Sequence, residues 1–183
     1  VQMIKSGEFR ALLIIHYFGF CQNDMKEIAQ LCREHGVVLI EDCAHTMLSE
    51  TEDGKLGQFG DLCFFSLHKF LATESGGCLQ VNNSHFNHIL ESSILDKADG
   101  QTLDMLARTD LQGIRKKRRT NYQELSELIM DFPGIELMYP VLPDGIAPHN
   151  LPMIIHGDQR EALYFRLIEN GVPVIALYYR MID

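Results

Sequence analysis

The sequence predicts an α/β fold, with a mostly parallel sheet followed by a smaller α+β lobe. Short apolar runs without polar alternation lie at residues 11–15, 37–40, 61–66 and 78–81, as in strands buried on both faces. An amphipathic pattern between the first two runs indicates a helix, so these elements form a βαβ unit. After Asn82 the pattern changes to longer helical stretches and shorter strands. We therefore expect a parallel sheet covered on both faces and a separate C-terminal lobe.

Local signals set the ends of the predicted elements. Asp24 is the expected N-cap of the first helix, with Glu27 at its third position, and Gly36 is the expected stop. The second half predicts a helix near residues 85–95, a long helix over about 103–130, strands near 135–138 and 151–155, a helix over 158–170 and a last strand after Gly171. The expected organisation is a sheet domain over residues 1–102, a bridging helix over 103–130 and an incomplete lobe over 131–183.

The composition and net charge limit the classes of partner and the cellular compartment that we expect for this protein. The 183 residues carry 16 Lys and Arg against 25 Asp and Glu, and the formal charge of −9 disfavours nucleic acids and anionic membranes as partners. The 5 cysteines form no Cys-x-x-Cys pair, which favours reduced thiols and a cytoplasmic location. Apolar runs are far shorter than the ~20 residues of a membrane span. We expect a soluble, cytoplasmic protein.

Residues that can carry chemistry follow three of the predicted strands. They are His16, the segment Glu41-Asp42-Cys43-Ala44-His45, and the segment Ser66-Leu67-His68-Lys69. Ligands of parallel α/β sheets bind beyond the carboxyl ends of the strands, so these side chains share one edge. A single His or Asp at a strand end more often caps a turn. An acid, imidazoles, a hydroxyl and a lysine on the same edge favour a ligand site.

The order of these motifs resembles the DegT/DnrJ/EryC1/StrS family of sugar aminotransferases, which depend on pyridoxal 5'-phosphate. The resemblance covers residues 10–81 and continues loosely to Gly171-Val172. The motifs that carry it are, in chain order, His16-Tyr-Phe-Gly19, Glu41-Asp-Cys-Ala-His45, Gly57-x-Phe-Gly-Asp61, Phe65-Ser-Leu-His-Lys69 and Gly76-Gly77. It implies a fold-type-I enzyme, with residues 1–102 as a partial cofactor-binding domain, and a homodimer.

The resemblance also implies roles for individual residues. Lys69 matches the catalytic lysine that forms the Schiff base with the cofactor and moves a proton. Asp42 matches the carboxylate beneath the pyridine nitrogen, His45 the contact to the phenolic oxygen and Ala44 the small side chain against the ring. Ser66 matches a hydroxyl ligand of the cofactor phosphate. The implied substrates are an amino donor and a keto-sugar nucleotide, and His16 and His68 are expected near the substrate.

The sequence departs from the family pattern at three places. Ser66 and Lys69 stand two residues closer together than in the family, and its glycine-asparagine-arginine segment is not recognisable after Asn82. The family also has a further N-terminal segment of ~100 residues, which supplies a phosphate-binding turn at a helix N-terminus. The chain is therefore expected to be a fragment of such an enzyme.

Two alternatives remain open at this stage. A catalytically inactive remnant or binding module could use the same scaffold. A metal-dependent hydrolase could use Asp42, His45 and His16, with His68, as ligands. Two further motifs have simpler interpretations: the run Arg115-Lys-Lys-Arg-Arg119 is expected to be a solvated helix face, and His85 and His88 are expected on a surface helix without a metal.

Overall fold

The computed structural model describes residues 2–92 and 96–175. The main sheet has the strand order β1-β2-β5-β6, formed by Ala11–Ile15, Val38–Asp42, Leu62–Ser66 and Gly77–Val81. Two small sheets pair β3 (Glu50–Thr51) with β4 (Gly54–Lys55) and β7 (Ile135–Leu137) with β8 (Met153–Ile155). The α-helices are α1 (Gln2–Lys5), α2 (Met25–His35), α3 (Gly100–Arg108), α4 (Leu111–Ile129) and α5 (Arg160–Glu169). Short 3-10 helices span Tyr17–Gly19, Leu67–Lys69, Ser84–Glu91 and Gly157–Gln159.

Three strands of the main sheet are parallel, as the sequence predicts. Strand β2 pairs with β1 on one side and with β5 on the other, and Asp42 is the register partner of both Ile15 and Phe64. The carboxyl ends of the three strands therefore meet at one edge of the sheet. This edge carries the residues that follow each strand, and α2 provides the crossover between β1 and β2.

The fourth strand, β6, runs antiparallel to β5, so the sheet is mostly parallel, as predicted. Only residues 67–76 join the two strands, and they include the 3-10 helix Leu67–Lys69. A parallel return needs a crossover of about a dozen residues or more, so this connection is too short for one. The short return keeps residues 67–76 at the carboxyl edge, where β5 ends.

The main core lies between the sheet and α2. Met25, Ala29 and Cys32 are buried at positions i, i+4 and i+7 of the helix and pack with Val37 and Leu39. Each fully buried large side chain contributes about 1.5–3 kcal/mol by removal from water. The opposite face of the sheet differs from the prediction, because Leu13 is 50% exposed and Phe64 36% exposed. Within the described residues, the sheet is thus well covered on one face only.

The two ends of α2 differ in how well the sequence predicted them. Gly36 adopts a left-handed φ of 66° and its N–H bonds to the carbonyls of Arg33 and Cys32, which confirms the predicted stop. The predicted N-cap is wrong, since Asp24 has a φ of 59° and makes no side-chain bond to the helix. A capping side chain reaches the first turn from extended backbone, which Asp24 does not adopt.

The predicted long helix over 103–130 is two helices, α3 and α4. Thr109 and Asp110 leave helical geometry, and the Asp110 side chain accepts a hydrogen bond from Gly113 N at 2.9 Å to start α4. The strands β7 and β8 and the helix α5 lie where they are expected. The segment near His85 is a 3-10 helix instead of an α-helix, and its predicted end at residues 93–95 lies outside the described residues. Residues 171–175 form no strand, and residues 176–183 also lie outside them.

Candidate active site

The first part of the site is the turn that follows β2. Asp42 is the last residue of β2, and its Oδ1 accepts a hydrogen bond from Ala44 N at 2.9 Å. This local bond shapes the turn and presents the next residue, His45, at the sheet edge. The Nδ1 atom of His45 accepts a hydrogen bond from Phe18 N at 3.2 Å. The strand end and the turn after β1 therefore fix Asp42, Ala44 and His45 together.

The second part of the site is the turn that carries Lys69. The 3-10 helix Leu67–Lys69 follows Ser66 directly, and the loop is closed by a bond from Leu67 N to Gly76 O at 3.0 Å. Gly76 has a φ of 126°, which an L side chain rarely adopts. Lys69 and Ser66 are partly buried at the edge, whereas His68 is exposed and its Nδ1 lies 3.4 Å from Gly76 O.

The charges of Lys69 and Asp42 both act on the imidazole of His45. The pKa of His45 is lowered by burial and further by the positive charge of Lys69, while the negative charge of Asp42 raises it. These effects fall steeply with distance. The structure thus brings together the acid, the imidazole and the amine that the sequence placed on one edge.

The site keeps polar atoms that form no hydrogen bond within residues 2–92 and 96–175. They are Asp42 Oδ2, His45 Nε2, Ser66 Oγ and Lys69 Nζ. A partly buried amine, carboxylate, hydroxyl and neutral imidazole nitrogen match the amine-reactive aldehyde, pyridine nitrogen, phosphate and ring oxygen of pyridoxal phosphate. Ala44 adds a small apolar surface beside them. The residues present therefore fit the cofactor that the resemblance implies.

His16 lies in the interior instead of at the open edge, which differs from the expectation that it is near the substrate. It is 1% exposed, its Nε2 lies 3.2 Å from Glu41 Oε2, and its Nδ1 accepts from Gln22 N at 3.2 Å. Glu41 is 0% exposed and also accepts hydrogen bonds from the backbone N–H groups of Gly57, Phe59 and Gly60. Burial raises the pKa of Glu41, but the bonds from His16, Gly60 and Gly57 outweigh it and lower the value.

The residues around His16 also bear on the metal-hydrolase alternative. In the part of the chain that the structure describes, the one group of potential ligands is His16, Glu41 and Cys43, with ligand atoms within 4.8 Å of one another. Asp42 and His45 are not in it, so the proposed ligand set is not brought together. Both carboxylate oxygens of Glu41 already accept hydrogen bonds.

The Cys43 thiol has an altered acidity. A side-chain hydrogen bond with Cys63 lowers the pKa of Cys43 to about 6, although burial acts to raise it.

Two residues that sequence reasoning missed contact the site from the second half of the chain. His149 stacks on His45, with ring centroids 4.8 Å apart and planes inclined by 18°. Arg118 donates from Nη2 to Lys69 O at 2.6 Å, lies 2.8 Å by Nη1 from His149 Nδ1, and places its Cζ 4.7 Å from the Phe70 ring centroid. Helix α4 therefore holds the Lys69 turn and the segment around His149.

The basic run at the start of α4 is not a solvated face, which corrects the sequence interpretation. Arg115 bonds to Glu50 Oε1 at 2.7 Å, and Arg119 bonds to carbonyls of the segment 143–146. Only Lys116 and Lys117 of the run are exposed. The spacing 115, 118, 119, 122 defines one helix face, shared with buried Tyr122, and that periodicity could have revealed the inward arginines.

Other expectations concern thiols and membranes. All five cysteines are free thiols, as expected, and three of them are buried. Among the helices of the described residues, none combines the length and the apolar character that a bilayer span requires.

The curated relatives include sugar aminotransferases, and the chain spans about half of one of them and a smaller part of another. It is 28% identical to the dTDP-4-dehydro-2,3,6-trideoxy-D-glucose 4-aminotransferase of Saccharopolyspora spinosa, over 89% of this chain and 51% of that enzyme. It is 36% identical to the GDP-perosamine synthase of Vibrio cholerae over 41% of this chain and 20% of that protein.

Solved structures of an aminotransferase and of a sugar dehydratase share the fold. Helicobacter pylori PseC, an aminotransferase of pseudaminic acid biosynthesis by its description, matches with a TM-score of 0.73 and 19% identity over 93% of this chain and 53% of that one. Escherichia coli GDP-4-keto-6-deoxy-D-mannose-3-dehydratase, solved with bound hydrated PLP, matches with a TM-score of 0.69 and 20% identity over 89% and 52%. These likenesses confirm the predicted fold class.

The family model gives the most direct assignment. The model of the DegT/DnrJ/EryC1/StrS aminotransferase family matches residues 2–95, just over half of the chain. The matched region contains the strand ends that carry Asp42, His45 and Lys69. The chain therefore belongs to the DegT/DnrJ/EryC1/StrS aminotransferase family.

Proposed function

We propose that this chain carries the lysine-bearing part of a nucleotide-sugar aminotransferase that uses pyridoxal 5'-phosphate. One observation carries the proposal: Lys69, Asp42 and His45 lie at the carboxyl edge of parallel strands, and the charges of Lys69 and Asp42 both act on the His45 imidazole. Membership of the family and the names of the relatives support it. The nucleotide-linked sugars named in those relatives give the proposed substrate class, a keto-sugar nucleotide with a separate amino donor.

Each residue has a defined task in this proposal. When bound, the cofactor supplies an aldehyde that condenses with amines and a ring that accepts the electron pair left when a Cα proton departs. Lys69 would bind the cofactor aldehyde through Nζ, and its amine would accept the proton that leaves Cα. The Asp42 carboxylate would keep the pyridine nitrogen protonated. His45 Nε2–H would donate to the ring oxygen, the Ala44 methyl would offer a small apolar surface to the ring, and the Ser66 hydroxyl would donate to the phosphate.

Compartment and assembly complete the proposal. Reduced thiols and acidic charge support a cytoplasmic location, because disulfides are rare in that compartment. A homodimer is proposed from the family resemblance. We keep the domain division at residues 102 and 130 as part of the proposal, with α4 as the bridge between the sheet domain and the lobe.

The test is cofactor capture by Lys69. Purified chain is mixed with pyridoxal 5'-phosphate, and the visible absorbance is followed before and after borohydride addition. We expect a new band that borohydride removes in the wild type and in K117A, an exposed lysine that serves as the matched control. The band should be lost in K69A, because the Lys69 amine is the one whose charge acts on His45 at this edge.

The remaining outcomes separate the alternatives. A wild-type chain that is folded by circular dichroism but shows no band would contradict the proposal and favour the binding-module alternative. A band retained in K69A would show that another amine binds the cofactor. Bound zinc or another metal found by elemental analysis in a chain that shows no band would favour the hydrolase alternative.

A further inference from the structure

Two imidazole rings face the Lys69 turn, and His149 has no role yet. The His149 ring lies parallel to the His45 ring at 4.8 Å between centroids, and its backbone N–H donates to Phe18 O at 2.7 Å. The N–H of the same Phe18 donates to His45 Nδ1 at 3.2 Å. One residue thus holds both histidines. Phe18 has a left-handed φ of 60°, a costly conformation for a bulky residue that the surrounding contacts maintain.

The partners of His149 define its tautomer. A guanidinium has donors only, so Nδ1 of His149 must accept the bond from Arg118 Nη1 at 2.8 Å. In the neutral ring the proton then lies on Nε2. Within residues 2–92 and 96–175, the Nε2 atom makes no hydrogen bond. His149 therefore presents one unused N–H donor beside His45 and Lys69.

The charges that face His149 keep it neutral. The pKa of His149 is lowered to about 4, mainly by burial and further by Arg118 from α4, His45 from the turn after β2 and Lys69 from the 3-10 helix. Protonation would also place a proton on Nδ1, against the Arg118 donor. At neutral pH the ring is thus a donor through Nε2.

Arg118 is engaged on three sides and is a positioning residue. It bonds to Lys69 O, lies against His149 Nδ1 and stacks over Phe70. These contacts fix the orientation of the guanidinium beside Lys69 and His149.

We propose that His149 is a ligand-binding residue of this site, whose Nε2–H donates to an anionic oxygen of the cofactor ring or of the amino donor's carboxylate, and that Arg118 fixes the tautomer that makes this possible. This inference rests on the proposed function for the nature of the ligand. The tautomer and its dependence on Arg118 stand without it, because they follow from contacts within the chain.

The first test needs no cofactor. In chain labelled with ¹⁵N-histidine, two-bond correlation spectra assign the tautomer of each of the 8 histidines, and H149Q identifies the His149 signals by their loss. We expect His149 to show a protonated Nε2 and an unprotonated Nδ1 from pH 8 down to about 5. In R118M the pKa of His149 should rise toward the ordinary histidine value near 6.5. A wild-type His149 that titrates near 6.5, or that carries its proton on Nδ1, would overturn the proposal whatever the cofactor result.

The second test identifies the ligand oxygen. H149F removes the donor, H149Q retains a side-chain N–H, and H156Q changes an exposed histidine as the matched control. The dissociation constant of pyridoxal 5'-phosphate and the spectral response of the loaded chain to succinate are measured separately. A donor to a charged acceptor predicts a loss of about 10- to 100-fold in H149F, with partial rescue in H149Q.

The two arms distinguish the sources of the oxygen. Weaker cofactor binding with unchanged succinate response identifies the cofactor ring oxygen as the acceptor. The reverse result identifies the donor carboxylate. Wild-type values in both arms for H149F would overturn the assignment, and failure of K69A to abolish cofactor capture would instead contradict the proposed function.

Discussion

The substitution E41Q tests the most heavily bonded side chain in the interior. Oε1 of Glu41 accepts from Phe59 N at 2.7 Å and from Gly60 N, and Oε2 accepts from Gly57 N at 3.0 Å and lies 3.2 Å from His16 Nε2. Glutamine preserves the shape but replaces one oxygen by an amino group. The two hydrogen bonds that the replaced oxygen accepted are lost, and the new amide NH₂ group then faces the N–H donors of those bonds.

The magnitude follows from these two bonds. Hydrogen bonds to charged groups contribute about 1.5–3 kcal/mol each, so we expect E41Q to lower the free energy of unfolding by about 3–6 kcal/mol. Urea denaturation followed by circular dichroism measures this change. E124Q is the matched control, because Glu124 is exposed on α4, and its effect should stay within about 0.5 kcal/mol. A value for E41Q as small as that of the control would refute the reasoning.

The unfolding free energies of wild type and E41Q should also differ in how they depend on pH. Because the folded pKa of Glu41 lies below its ordinary value of 4.5, its carboxylate stabilises the fold fully above pH 4.5. That contribution is lost as the pH falls through the folded pKa. The difference in unfolding free energy between wild type and E41Q should therefore shrink as the pH falls below 4.5. A difference that grows in acid would contradict the assignment of charge to Glu41.

Three further predictions follow from the packing, the thiols and the His149 contacts. In urea denaturation, G19A should lower the free energy of unfolding several-fold more than G100A. A Cβ on Gly19 would lie 2.6 Å from Ala147 O, whereas a Cβ on Gly100 would meet open space. Equal effects of the two substitutions would contradict this. Alkylation of native chain followed by peptide mass spectrometry should modify Cys78 first, and early modification of the buried thiols would be incompatible with the fold. The pKa of His149 is about 4 in the folded chain, so between pH 6.5 and 4 the unfolded chain binds the proton first. The free energy of unfolding should therefore fall more steeply over that range in wild type than in H149F. Parallel plots of unfolding free energy against pH would argue against a neutral His149.

The sequence predicted the part of the site that depends on local order along the chain. Apolar runs identified β1, β2 and β5, and the parallel register then placed Asp42 and Ser66 at one edge without further information. The turn residues His45 and Lys69 follow those strands within three residues, so their position was fixed by the same strands.

The rest of the site depends on contacts between distant segments. His149 reaches His45 across more than one hundred positions, and nothing in its local sequence distinguishes it from a surface histidine. The role of Arg118 was obscured because the run of basic residues was treated as a whole, whereas its arginines face inward and Lys116 and Lys117 face solvent. His16 was expected at the edge because it follows β1, but its bond to Glu41 draws it into the interior.

We propose Lys69 as the amine that binds the cofactor aldehyde. Its most direct test is reduction of the chain with borohydride in the presence of pyridoxal 5'-phosphate, followed by proteolysis and peptide mass spectrometry. We predict that the reduced cofactor is found on the peptide containing Lys69, at near-stoichiometric level, and on no other lysine to a comparable extent. Labelling spread evenly over surface lysines, with Lys69 no higher than Lys117, would contradict the account.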